Sequence, residues 1–424
     1  MKAACHLLNL TPNLKKKLQN QYAMKFGVIR ERKNPPDRRV VLSPEACQKV
    51  LNKNPKAEII VEPSPIRVFK NAEYQAAGVE VASKMKDCDV LLGVKEVPIE
   101  NLIANKKYFF FSHTIKKQPY NRKLLLAILA KNIELYDHEV ITNQKQQRLV
   151  AFGRYAGIVG AYNGFRAYGL KFGGFKLPKA EMLADQQELI SELKKIKLPN
   201  IKVLLTGKGR VGNGSREMLD GMGMRRVNVG DYLEKDYKEP VYCQIDASEY
   251  NKRKDGVRGN KADFFANPEA YKTNFTRFAK VTDLYIAGHF YGQGAPYLFT
   301  RQDAKHPDFK IRVVADVSCD IDGPVATTIR SSTIEKPIYG YDPKTEKETN
   351  FKNKTAIAVM AVDNLPCELP RDASVGFGDA FVKNVIPAFF NGDKDDVLER
   401  ARMTHKGKLT KRYSYLQDYV DGKE

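Results

Sequence analysis

"VLLTGKGRVGNGSREMLDGMG", residues 203–223, decides the fold. It opens on the apolar run Val203–Leu205, passes through Gly207-x-Gly209-x-x-Gly212, and continues into a stretch that can be helical. The three glycines have separate tasks: a tight turn, close approach of backbone to a pyrophosphate, and packing of helix on strand. A glycine triplet alone says little, but between a strand and a helix it is a dinucleotide fingerprint. The helix N-terminus offers unpaired N–H groups to phosphate, and Arg210 adds positive charge beside them. Asp231 ends the next apolar run, "RVNVGD" (226–231). An acid there bonds the adenosine ribose hydroxyls, which favours NAD and disfavours NADP.

Working outward, short apolar runs alternate with helix-like stretches on both sides. Upstream the expected strands are "KFGVI" (25–29), "EIIVEP" (58–63), "DVLLGV" (89–94), "YFFFS" (108–112) and "IELYD" (133–137). Downstream they are 201–207, 226–231, "DLYIAG" (283–288) and "RVVADVS" (312–318). Ser43 and Pro44 can start a helix over 43–53, as cap and first helical residue. "AFGRYAGIVGAYNGFRAYGLKF" (151–172) is rich in small residues and reads as a helix connecting two domains. Residues 232–275 are polar and irregular and read as a surface insertion. Such alternation implies α/β architecture: two doubly wound, parallel-sheet, Rossmann-like domains separated by a cleft. The expected division is a leader (1–23), a substrate domain (24–152 plus 360–424) and a dinucleotide domain (153–359).

The composition agrees with a globular protein, at 42% hydrophobic and 29% charged residues with mean hydropathy −0.47. No apolar run reaches the roughly 20 residues that span a bilayer. Six cysteines without C-x-x-C spacing are neither a disulfide framework nor a zinc signature, and they suit the reducing cytoplasm. The net charge of +21 is spread along the chain. It lacks a recognisable nucleic-acid motif, so it reads as a solvated basic surface that can steer small anions.

Two strand ends carry the chemistry. "DVLLGVKEVP" leaves its strand at Lys95 and "YFFFSH" leaves its strand at His113. The twelve residues 96–107, from Lys95 to the start of the second run, are about the minimum for a crossover joining parallel strands. Parallel strands end at one rim of a sheet, where open α/β sheets bind ligands. A lysine against apolar walls loses proton affinity, and histidine is a natural proton carrier.

Six separated segments then bring a resemblance into view: "RRVVLSP" (38–44), "GVKEVP" (93–98), "FFSHTIKKQ" (110–118), "QRLVAFGRYAG" (147–157), "ADVSCD" (315–320) and "VDNLPCELPRDAS" (362–374). Together they resemble the lysine-forming saccharopine dehydrogenases and the lysine–ketoglutarate reductase domain of lysine-degrading enzymes. More distantly they are similar to alanine dehydrogenase and the transhydrogenase N-terminal region. The resemblance implies an NAD-dependent oxidoreductase that takes saccharopine to lysine and 2-oxoglutarate by hydride transfer, imine formation and hydrolysis. It implies that Lys95 takes the amine proton and His113 activates water. Arg39 and Arg148 would hold substrate carboxylates, with Gln118 and Phe152 as further contacts. Gly207, Gly209, Arg210, Gly212, Asp231, Asp316, Val317 and Ser318 would hold the cofactor. Apart from the resemblance, Glu96 and Glu139 can tune Lys95 and His113 as nearby carboxylates, and Glu139 reads equally as a plain exposed acid. Gln147 and Val211 depart from the family pattern, and the 232–275 segment leans toward the reductase branch. These departures leave open an NADPH-dependent reductase and an alanine-dehydrogenase-like activity. A dinucleotide-binding protein without catalysis is a third alternative, against which stand both catalytic candidates and both arginines.

Overall fold

The computed structural model describes residues 23–423; residues 1–22, nearly all of the expected leader, lie outside the described residues. The chain divides into two compact units, one running through Ala151 and resuming at Ala373, the other Phe152–Asp372.

The first unit holds a six-stranded sheet, β1 (Met24–Val28), β2 (Ala57–Val61), β3 (Glu80–Val81), β4 (Val90–Leu92), β5 (Lys107–Phe110) and β6 (Glu134–Asp137), in the order β3-β2-β1-β4-β5-β6. Every pairing is parallel. Strands buried on both faces read as unbroken apolar runs, and Val28, Val90, Leu91, Leu92, Phe109 and Phe110 are wholly buried. Each such side chain contributes roughly 1.5–3 kcal/mol on leaving water. Ser43 caps α1 (Pro44–Lys53) by accepting from the Ala46 N–H, with Pro44 at the first position. After β5 comes α2 (Pro119–Ala130).

The second unit opens with α3 (Gly153–Phe172) and builds an eight-stranded sheet. Its strands are β7 (Lys202–Thr206), β8 (Arg225–Arg226), β9 (Val241–Ile245), β12 (Leu284–Ala287), β13 (Val313–Asp316), β14 (Ile338–Asp342), β15 (Lys347–Thr349) and β16 (Ile357–Met360), with a separate hairpin of β10 (Asn251–Arg253) and β11 (Tyr271–Thr273). The order is β15-β14-β16-β13-β12-β7-β9-β8, parallel except where β14 meets β15 and β16. Helix α4 (Arg210–Gly221) follows β7 and lies tight against α3. A side chain at Gly157 would collide with the Val211 carbonyl. The chain returns to the first unit within α8 (Pro370–Asn384), after the short helices α5 (Val229–Glu234), α6 (Ala247–Tyr250) and α7 (Lys261–Ala266).

Two expectations fail here. "RVNVGD" is not one strand: β8 stops at Arg226, and Asn228 caps α5 by accepting from the Asp231 N–H. Asn228 favours a helix start, so Asp231 lies inside a helix and not at a strand end. The segment 232–275 is not a surface insertion throughout. It contains β9, wholly buried between β7 and β8. Its "VYCQI" run was hidden by the charged stretches around it, and its one polar member, Gln244, is buried and donates to the Gly207 carbonyl (2.9 Å).

Among the described residues no helix is long and apolar enough to cross a membrane, and Cys47, Cys88, Cys243, Cys319 and Cys367 are free thiols.

Candidate active site

In the first unit, β4 and β5 are neighbours, and their pairing runs past the strands: Gly93 N–H donates to Phe109 O and Phe111 N–H to Val94 O, both 2.9 Å. Lys95 and His113 therefore leave the same edge of the sheet, as the spacing required. The next residue after Lys95, Glu96, joins them. Its Oε1 lies 2.6 Å from His113 Nδ1, and its Oε2 accepts from Lys33 Nζ at 2.6 Å. Glu96 is 9% exposed, and although burial alone would push its carboxyl up, bonds from His113 and Lys33 hold it at about 2. An ionised carboxylate only accepts, so His113 Nδ1 carries the hydrogen and, in the neutral ring, Nε2 keeps the lone pair. His113 sits in the left-handed region (φ 55°), a conformation a non-glycine residue adopts at a cost.

Three consecutive residues at the end of β6 brace this edge. Asp137 accepts from the Ser112 N–H (2.8 Å) and hydroxyl (2.5 Å), fixing the segment that presents His113. His138 Nε2 lies 2.8 Å from Gly93 O, so it donates there and fixes the segment that presents Lys95. Its other nitrogen has no partner, and the rings of Phe111, Phe377 and Phe381 surround it at 5.0–5.8 Å. Burial pushes this imidazole down to about 3, so it stays neutral. Glu139 lies 3.9 Å from both Lys116 and Arg148. The Phe111 ring stacks with His113 (6.3 Å, 19°), and the Arg148 guanidinium approaches it to 6.0 Å. His113, Glu139 and Arg148 thus come together around Phe111.

Arg39 is paired with an acid two residues before it. It is 3% exposed, and its Nε and Nη2 donate to the two oxygens of Asp37 at 3.0 and 2.6 Å. Gln118 is exposed at the start of α2, accepting from the Tyr120 hydroxyl. Phe152 is the residue before α3 and is buried. Sequence reasoning missed Glu31, Lys33, Asp37 and His138. Glu31 accepts from the Val94 and Lys95 N–H groups (2.7 and 2.9 Å), and burial with the Asp37 charge pushes it up to about 8. Only the charged run "RERK" offered a sign of Glu31 and Lys33.

In the second unit the glycine loop has the form its motif requires. Gly207 has φ +94° and no room for a side chain beneath Gly288, while a side chain on Gly212 would strike the Gly207 carbonyl. A side chain on Gly209 would meet nothing within 4 Å. That opening, at the N-terminus of the twelve-residue α4, fits the pyrophosphate of a dinucleotide. Arg210 is exposed at the same turn. The β7, β12 and β13 ends share one edge, since Thr206 pairs with Ala287 and Ala287 with Asp316. Asp316 is fully buried and spends its carboxylate on Ser318 N–H and hydroxyl and on Thr328. It shapes the turn bearing Val317 and Ser318 instead of facing outward. Asp231 is apart from this set, half-buried on α5 and paired with Lys235 (2.9 Å).

Residues 27–159 match the model of the alanine dehydrogenase/PNT N-terminal domain. Nearly the whole chain is similar to two groups of enzymes. It is 27% identical over 435 residues to the alpha-aminoadipic semialdehyde synthase of Arabidopsis thaliana, covering 92% of this chain and 41% of the synthase. It is 27% identical over 418 residues to the NAD(+), L-lysine-forming saccharopine dehydrogenase of Candida glabrata, covering 90% and 98%. The chain thus spans about half the length of the synthases it matches, 48% for the mouse protein. An L-alanine dehydrogenase structure superposes with TM-score 0.63 at 18% identity, over 94% of this chain and 99% of that one. The matched residues cover most of the sheet that presents Lys95 and His113, and the likeness of fold to the L-alanine dehydrogenase structure extends through the glycine-loop unit.

Proposed function

We propose that the chain is a nicotinamide-dependent oxidoreductase of the CH–NH class, cleaving saccharopine to lysine and 2-oxoglutarate in the cytoplasm. The observation that carries this reading is the joined set Lys33–Glu96–His113 beside Lys95 at two adjacent parallel strand ends. The bound dinucleotide supplies the acceptor for the hydride leaving the glutarate C–H. Lys95 takes the proton of the substrate's secondary amine as the C=N bond forms. His113, its Nδ1–H tied to Glu96, offers Nε2 as the base that deprotonates the water adding to the imine carbon. The carbinolamine hydroxyl then gives up its proton, the C–N bond breaks, and the departing lysine nitrogen is protonated. One water is consumed and one proton released for each hydride transferred. Arg148 offers its guanidinium to a substrate carboxylate. Arg39, engaged by Asp37, shapes the wall of the site.

Either dinucleotide satisfies this chemistry, and the preference for NAD expected from Asp231 loses its ground with that residue's position on α5. Saccharopine, lysine with 2-oxoglutarate, and alanine are to be assayed with both dinucleotides. Lys95→Met is expected to reduce turnover by about 1000-fold or more while dinucleotide binding persists. Full activity in that variant ends the assignment, and turnover of alanine alone redirects it.

A further inference from the structure

Two turns of the first unit present side chains of the proposed reaction, and both contain left-handed residues. The turn after β5 leads from His113 (φ 55°) to Lys117 (φ 53°) and ends at Gln118. The turn that leads into Arg148 contains Gln146 (φ 59°). Non-glycine residues keep this conformation only where the surrounding structure over-determines it. Local bonds hold each turn from one side. Asp137 accepts from the Ser112 N–H before the first turn, and Asn143 Oδ1 accepts from the Lys145 and Gln147 N–H groups in the second.

The other side of both turns is held by one distant segment, a tight helical turn (Lys411–Leu416) that runs into a short helix (Gln417–Asp421). Across 301 residues, the Tyr419 hydroxyl donates to the Gln118 carbonyl at 2.5 Å. Lys117 Nζ lies 5.9 Å from the centre of the Tyr415 ring. Arg412 Nη2 donates to Gln146 Oε1 at 2.5 Å. The segment is itself anchored. Tyr413, Leu416 and Tyr419 are buried in the same cluster as Tyr108 and Phe110 of β5. Arg122 of α2 donates to the Tyr419 and Val420 carbonyls at 2.8 and 2.7 Å. One anchored piece of chain thus reaches both turns.

We propose that residues 411–421 form a strap that sets these two turns, with Tyr419 a positioning residue for His113 and Arg412 one for Arg148. This rests on the roles given above to His113 and Arg148 in the proposed reaction. The two ends of the strap act differently because the turns have different tasks. Loosening the first turn spoils the aim of His113 at the attacking water, which lowers kcat. Loosening the second spoils the aim of Arg148 at a substrate carboxylate, which raises KM.

The test is steady-state kinetics of Tyr419→Phe and Arg412→Met in the full chain, paired with hydrogen–deuterium exchange. Tyr419→Phe keeps the buried ring and Arg412 is exposed, so both variants are expected to fold. Tyr419→Phe should lower kcat about 3–10-fold with KM within about twofold. Arg412→Met should raise KM for saccharopine about 3–10-fold with kcat within about twofold, and Arg412→Lys, which can still donate, should recover most of it. Exchange should quicken about 3–10-fold over 113–118 in the first variant and over 143–148 in the second. Unchanged exchange at the turns, or the same effect of both variants on kcat and KM, overturns the proposal. If the wild-type chain turns over no amino acid, the proposed reaction falls, and exchange alone decides whether the strap sets the turns.

Discussion

Glu96→Gln isolates the charge at the centre of the site. Glutamine has the size of the protonated carboxyl, so the variant imitates the wild-type protein with that proton in place. The carboxyl stands at about 2 in the folded chain, against about 4.3 in an unfolded one. A depressed carboxyl contributes stability that is present above pH 4.3 and lost as pH falls through 2. At 1.36 kcal/mol per unit, the difference is worth about 3 kcal/mol at pH 7, falling to about 1.4 kcal/mol at pH 3 and below 0.5 kcal/mol at pH 2. Burial justifies carrying the shift into energy, since Glu96 is 9% exposed. The chain has no tryptophan, so urea unfolding is followed by far-UV circular dichroism at pH 7, 4 and 3. The variant should be less stable by about 3 kcal/mol at pH 7, and the gap should roughly halve by pH 3. A gap that stays constant over this range refutes the reasoning, because the carboxylate's charge would then not be what the fold holds. Turnover at pH 7 should drop about 100-fold, since an amide can donate to Nδ1 and leave His113 Nε2 holding a hydrogen instead of a lone pair.

The glycine loop permits a paired comparison. Gly209→Ala has open space for its methyl, so melting temperature should hold while dinucleotide affinity falls about 10-fold or more; unchanged affinity would mean that no phosphate passes there. Gly212→Ala must displace the Gly207 carbonyl, so stability should fall by about 1–3 kcal/mol together with binding. His138→Phe keeps the ring but loses the bond to Gly93 O. It is expected to lower kcat about 10-fold with dinucleotide binding unchanged, and His138→Gln, which can still donate, should recover most of it. Equal activity in the two variants would reduce His138 to packing.

Much of this site was legible in one dimension because its chemistry hangs on strand ends. Strands β4 and β5 announce themselves as apolar runs, and a crossover of fixed minimum length leaves their polar followers, Lys95 and His113, on one rim. The glycine loop was legible for a similar reason, since its three positions are dictated by backbone collisions within a few residues. The residues missed are those whose partners are distant in sequence. Lys33 meets Glu96 across 63 residues, and His138 meets Gly93 across 45. Nothing local marks either.

The sequence by itself determined the strand–helix alternation, the glycine loop and the pair of catalytic candidates, because hydrophobic period and backbone sterics act over short distances. Only the tertiary structure decided that β9 inserts between β7 and β8, that Arg39 pairs with Asp37, and that Asp231 lies within a helix. Strand order is set by which buried faces and edge hydrogen bonds are satisfied together. That balance is struck among segments tens of residues apart and leaves no periodic trace along the chain.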